Sequence, residues 1–235
     1  MTRFLAAFSA VAALAITPVL AADIAIKAPP IVPPAVYSWT GCYIGGNGGG
    51  LFAHKTWTNL SNGVVQANED VTGGLGGAQA GCNYQFLGGW VAGIQGDYDW
   101  TNATGSYANP ITTSTYTTDI RSLASVTGRV GYACGRFLGY VKGGGAWERD
   151  NYNLSGNATG IITSVAAETR SGGTVGVGGE YAFANWITGF VEYDYYDFGT
   201  RTVPFTVLAG GGTVQRDIKE YKSVIKAGVN LKFGG

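Results

Sequence analysis

The sequence predicts an all-β chain that closes as an antiparallel eight-stranded transmembrane β-barrel, with short periplasmic turns and longer external loops. Three observations predict it. Segments of about ten residues alternate apolar positions with polar or glycine ones, the period-2 signature of strands. The apolar face of these segments carries aromatic rings near its ends, while the opposite face carries charge, as in lipid-facing strands. Short connections alternate with long polar ones along the chain.

The first residues set the compartment. Arg3 supplies a positive start, Phe4 through Leu20 is an apolar run, and Val19-Leu20-Ala21-Ala22 offers small residues for cleavage after Ala21 or Ala22. Residues 1–22 therefore read as a secretory signal peptide. A spanning helix needs roughly 20 apolar residues; this run is shorter, and no other segment approaches that length. Residues 23–37, with Ala28-Pro29-Pro30 and Pro33-Pro34, predict a Pro-rich extended segment in the periplasm. The barrel is predicted for 38–235.

Composition agrees with a membrane sheet. The chain has 39 Gly, 14 Tyr, 10 Phe and 6 Trp against only 13% charged residues, unlike a soluble domain. Its formal net charge is zero, which argues against a nucleic-acid partner because phosphate binding needs a basic surface.

The third strand, 90–100, is the clearest. Trp90, Ala92, Ile94, Tyr98 and Trp100 share one face, and Val91, Gln95, Asp97 and Asp99 the other. The first strand, 39–51, sets Thr40, Cys42 and Ile44 against Tyr43 and Asn47. The second, 74–84, sets Ala78, Ala80, Cys82 and Tyr84 against Gln79 and Asn83. In the fourth, 119–133, Ala124, Val126, Val130 and Tyr132 oppose Arg121, Ser125, Thr127 and Arg129. The fifth, 137–149, opposes Phe137, Val141 and Trp147 to Tyr140, Lys142 and Glu148. In the sixth, 171–183, Val175, Val177, Tyr181 and Phe183 face away from Thr174 and Glu180. The seventh, 186–198, sets Ile187, Val191, Tyr193 and Tyr195 against Glu192, Asp194 and Tyr196. The eighth, 219–233, sets Ile225, Ala227, Val229, Leu231 and Phe233 against Lys222, Lys226, Asn230 and Lys232. Turns are expected at 85–89, 134–136 and 184–185, and external loops at 52–72, 101–118, 150–170 and 199–218. Backbone groups in lipid must be paired internally, so such a sheet has to close.

With these residues assembled, the chain resembles the Omp25/Omp31 (RopB-like) group of α-proteobacterial outer-membrane proteins. The resemblance rests on Tyr37-Ser38-Trp39-Thr40-Gly41, Tyr43-Ile44-Gly45-Gly46-Asn47 and Gly93-Ile94-Gln95-Gly96-Asp97-Tyr98-Asp99. It continues in Gly128-Arg129-Val130-Gly131-Tyr132-Ala133, Val191-Glu192-Tyr193-Asp194-Tyr195-Tyr196-Asp197 and Gly228-Val229-Asn230-Leu231-Lys232-Phe233. It implies an OmpA-like eight-stranded barrel in the outer membrane, amid outer-membrane lipids and lipopolysaccharide. The roles it implies are envelope integrity, contact with external ligands or host surface molecules, and a porin-like activity. Val229, Leu231 and Phe233 alternate toward a near-terminal aromatic, the pattern read by the barrel-insertion machinery, although Gly234 and Gly235 follow.

The inward polar residues are the candidate constellation: Gln79, Asp97, Arg121, Arg129, Lys142, Glu148, Glu180, Glu192, Asp194, Lys226 and Lys232. A lumen this narrow holds little beyond side chains. Both signs of charge are present, so a paired network filling the barrel is expected, and a narrow ion path is the alternative. Asp97/Asp99 and Asp194/Asp197 could suggest acid–base catalysis, but lumen position explains Asp97 and Asp99 without it. His54 is the only histidine, so a catalytic triad or a His-rich metal site lacks its parts. No enzyme activity, cofactor or metal is expected. The glycine strings at Gly45–Gly50 and Gly176–Gly179 open no helix and precede no Lys-Ser/Thr; they read as room for bulky lumen neighbours. Cys42 and Cys82 fall on the same face near the periplasmic ends of adjacent strands, which predicts a disulfide and leaves Cys134 over.

Overall fold

A computed structural model describes residues 37–109, 113–208 and 211–234. The predicted signal peptide, and all of the Pro-rich segment except Tyr37, lie outside these residues. The strands are β1 (Gly41–Asn59), β2 (Val65–Gln85), β3 (Trp90–Thr101), β4 (Thr104–Asn109), β5 (Ser114–Cys134), β6 (Phe137–Gly156), β7 (Ile162–Ala184), β8 (Ile187–Val207) and β9 (Thr213–Phe233). β3 and β4 form one staff broken at Asn102 and Ala103, and both pair with β5.

Every strand is antiparallel to its neighbours, and β1 pairs with both β2 and β9. The sheet therefore closes into a ring of eight staves and leaves no edge for lipid to meet. Tight connections at the periplasmic end follow Cys134 and Ala184, while β2 and β3 are joined through a single 3₁₀ turn, Leu87–Gly89. Gly88, Gly89 and Gly135 take positive φ in these connections, which only glycine does freely.

The strands are longer than the sequence reading expected. A tilted strand crosses a bilayer in about 9–11 residues, but β1 runs for 19 residues and β7 for 23. Most of the predicted external loops are strand: β1 and β2 run on to a hairpin tip at 60–64, and β6 and β7 to one at 157–161. The barrel wall thus continues well beyond the membrane. The β7–β8 ladder is the least complete part of it, with pairing broken between Val165 and Gly173.

The outward face of the lower half is apolar, with Ile44, Ile94, Val126, Val141, Val177, Val191 and Ile225 exposed toward hydrocarbon. Trp90, Tyr132, Phe137, Phe183 and Trp186 ring its periplasmic edge, and Phe52, Trp100, Trp147, Tyr195 and Tyr221 its outer edge. Aromatic girdles of this kind sit at the two membrane interfaces.

Candidate functional site

The lumen is packed from end to end. At the periplasmic mouth Tyr37, Trp39, Leu138, Tyr140 and Ala182 form an apolar cluster. Trp39 Nε1 donates to the Gly135 carbonyl at 3.2 Å, which holds the Trp39 ring at the opening.

Above this lies Arg129. Its guanidinium is held between the rings of Tyr43 and Tyr140, 5.0 and 4.7 Å from their centroids. It donates to Glu180 Oε2 at 3.1 Å and to Asn83 Oδ1 at 2.8 Å. Glu180 also accepts from Thr188 and Asn230, and Asn230 accepts from Gln79 Nε2. Glycines make room for the two tyrosines. A Cβ at Gly81 would lie 2.5 Å from Tyr43 Oη, and one at Gly178 would lie 2.6 Å from Tyr140 Cζ.

Next come two lysines among four carboxylates. Lys142 Nζ lies 2.7 Å from Glu192 and 3.1 Å from Asp194. Lys226 Nζ sits 3.5–3.9 Å from Asp97, Asp99, Glu192 and Asp194, central to all four. Side-chain exposure of each of these ions is zero. Taking such charges out of water is costly without partners, and here each carboxylate lies within 4 Å of a lysine that it shares with others.

A further ionic layer lies at the outer girdle. Lys55 contacts Asp150 at 2.5 Å and Glu220 at 2.8 Å; Lys222 pairs with Glu148 and Glu220; Arg170 reaches Glu220 at 3.6 Å. Glu148, Asp150 and Glu220 are near enough to one another to hold a metal ion. Lys55, Lys222 and Arg170 already supply the positive charge there. An apolar cluster that includes Leu51, Val71, Leu123 and Val224 also lines the interior.

The external end of the lumen is closed by Trp57, which meets Tyr116, Tyr152 and Phe205 at ring centroids 5.1, 5.3 and 5.6 Å away. Val203, Leu154 and Ile218 complete this cluster. Trp57 Nε1 and the Thr118 hydroxyl both donate to Glu69 Oε2. Burial pushes the Glu69 carboxyl above its ordinary range, against the opposing pull of those hydrogen bonds and of Lys55.

Of the residues singled out from sequence, Gln79, Asp97, Arg129, Lys142, Glu148, Glu180, Glu192, Asp194 and Lys226 are buried in the lumen. Arg121 is not. A bulge between Ile120 and Ser122 shifts the parity of β5, so Ile120 and Leu123 point inward and Arg121 outward with 60% of its side chain exposed. Lys232 is inward but only half-buried at the periplasmic mouth, where it donates to the Ser38 carbonyl over the Tyr37 ring instead of joining a carboxylate. Cys42 and Cys82 are direct cross-strand partners joined as a disulfide, and Cys134 is free and exposed. Val229, Leu231 and Phe233 lie on the outward face of β9, beside β1. The sequence reading missed Lys55, Asp150, Arg170, Trp57 and Tyr152, having placed them in loops. Alternation of Lys55 and Trp57 with His54, Thr56 and Thr58 is the signal that could have found them.

Comparison with known proteins agrees with this architecture. The chain is 32% identical over 240 residues to the 31 kDa outer-membrane immunogenic protein of Brucella melitensis, covering 96% of this chain and 98% of that one. The Brucella suis protein of the same name matches equally. Among solved structures, the outer membrane protease OmpT of Escherichia coli aligns at a TM-score of 0.53 and 10% identity, covering 81% of this chain and 97% of that one. A likeness that distant shows the fold alone. Residues 6–233 match the outer membrane protein beta-barrel domain, and the chain belongs to that family of integral outer-membrane barrels.

Proposed function

We propose that the protein is a closed structural barrel of the cell envelope that holds a rigid β-sheet cup outside the membrane for contact with external ligands or host surface molecules. The packed lumen carries this reading. A solute crossing the barrel would have to displace the Arg129–Glu180 pair, the Lys142–Lys226 cluster and the Trp57 aromatic cap in turn. Each is closed by partners on several strands. Long hairpins reaching past the outer aromatic girdle, with Leu60, Val64, Ile161 and Leu208 exposed at their tips, support the surface role, and the Brucella relative is named as immunogenic.

The role is non-enzymatic on this reading. Asp97 and Asp99 are held at Lys226, and His54 is paired with Asp70 at 2.7 Å on the outward side of β1. Export through the signal peptide at 1–22 and recognition of Val229, Leu231 and Phe233 by the insertion machinery complete the proposed route. Planar-bilayer recording of the refolded protein tests the closed lumen. Absence of steady open-channel current is expected; steady currents would overturn the reading in favour of a narrow porin or small-solute transport protein.

A further inference from the structure

Three features follow one another on the outer wall and meet at β5 and β6. The lowest is an apolar furrow of about 810 Å³ on the hydrocarbon side, lined by Ile44, Ala80, Gly96, Ala124, Val126 and Trp147 among others. Glycine and alanine on β1, β2, β3 and β5 leave it hollow between larger side chains. A hollow facing hydrocarbon is filled by an acyl chain, since little water reaches it.

Immediately above its upper end, β5 and β6 carry two exposed guanidiniums. Arg149 stands two residues beyond Trp147 on β6, and its register partner is Ser122, the neighbour of Arg121. Arg121 touches one carboxylate, Asp119, at 3.8 Å. Arg149 is exposed and makes no ion pair among the described residues. Higher again on the same strands is a polar groove of about 450 Å³, lined by Asp119, Arg121, Asn151, Asn153 and Thr206 with other residues of β7 and β8.

We propose that this surface binds an acylated phosphosaccharide of the outer leaflet. Its chains lie in the furrow, its phosphate bridges Arg121 and Arg149, and its sugar hydroxyls meet Asn151, Asn153 and Asp119. The order of the three chemistries along the wall is the order of the parts in such a lipid. Trp147 marks the height of the headgroup boundary. Guanidinium forks just above it match phosphate oxygens; the amides of Asn151 and Asn153 give to and accept from hydroxyls, and the Asp119 carboxylate accepts from them. The bulge in β5 acquires a purpose: it brings a second arginine to the outer surface at the level of the first. The site goes beyond the closed-barrel reading and stands whether or not the lumen conducts.

Native mass spectrometry of the full refolded chain in detergent tests it. The probes are an acylated glucosamine disaccharide bisphosphate, its dephosphorylated form, and inorganic phosphate. The bisphosphate lipid is expected to remain bound, with R121Q/R149Q retaining it about tenfold less well. Ala80→Phe, which fills the furrow from the lipid side, should weaken binding with the arginines intact. Heat-modifiable electrophoretic mobility verifies that both variants fold. Equal binding by R121Q/R149Q, or equal binding of the dephosphorylated lipid, would overturn the phosphate contact. Displacement of the lipid by inorganic phosphate alone would overturn the furrow.

Discussion

The membrane half and the external half of this barrel share the same strands and reverse their polarity. On β6, Val141 and Trp147 face lipid while Lys142 and Glu148 face the lumen. A few residues further out, Asn151 and Asn153 lie on the outer surface while Tyr152 and Leu154 are buried inside. β1 does the same: Ile44 points to lipid below, whereas Trp57 is buried above and Thr56 and Thr58 lie on the outer face. One alternating backbone thus serves two solvents. Where hydrocarbon is outside, the apolar residues go out and the ions pair within; where water is outside, the aromatic and apolar residues go in, packed over the Lys55–Glu220 layer.

Two kinds of interior imply two kinds of failure. Lys226→Ala should be the most damaging change. It leaves Asp97 and Asp99 with no ion-pair partner among the described residues and Glu192 and Asp194 with Lys142 alone, and breaking a buried ionic cluster costs about 3–5 kcal/mol. Urea titration of the refolded barrel in lipid, followed by gel mobility, would measure this as a lost folded band at lower denaturant. Trp57→Ala should cost about 3 kcal/mol by emptying the aromatic cap. Its effect should appear as protease cleavage in the external hairpins, with the membrane half still folded. Comparable cleavage of the Lys226→Ala variant at the same external sites would argue against independent interiors.

The outer surface sharpens the contrast. Val141→Lys should destabilise by about 2–4 kcal/mol near the bilayer centre, whereas Asn153→Lys, on the same face of the same strand, should stay within about 0.5 kcal/mol. Equal costs would contradict the reversal. The smallest expected effect is chemical. Cys134 should alkylate without reduction, while peptide mapping should recover Cys42 and Cys82 as one linked species.

The reversal also explains which parts of the fold were legible in the sequence. In the lower half, apolar-out and charged-in alternation is unusual for soluble proteins, so Trp90–Trp100 and Ile225–Phe233 declare both strand and membrane. Lys142, Glu192 and Lys226 follow from parity. Beyond the outer girdle the outward positions become Thr, Asn and Asp, and the alternation resembles polar loop sequence. Lys55 and Arg170 were missed for that reason, as was the core around Trp57. Arg121 failed differently. A single bulge at Ile120/Ser122 displaces parity by one residue, and bulges leave no mark in alternation until the far side is aligned to a partner strand.

Each face of β6 meets a different surrounding in the two halves of the barrel. Solid-state NMR of the unaltered protein in lipid bilayers, with magnetisation transferred from water or from acyl-chain protons, tests this most directly. Val141 and Trp147 are predicted to receive it from lipid, and Asn151 and Asn153 from water. Lys142, Glu148, Tyr152 and Leu154 are predicted to receive it slowly from both. Rapid transfer from water to Lys142 and Tyr152 would mean an open, hydrated lumen and would contradict the account.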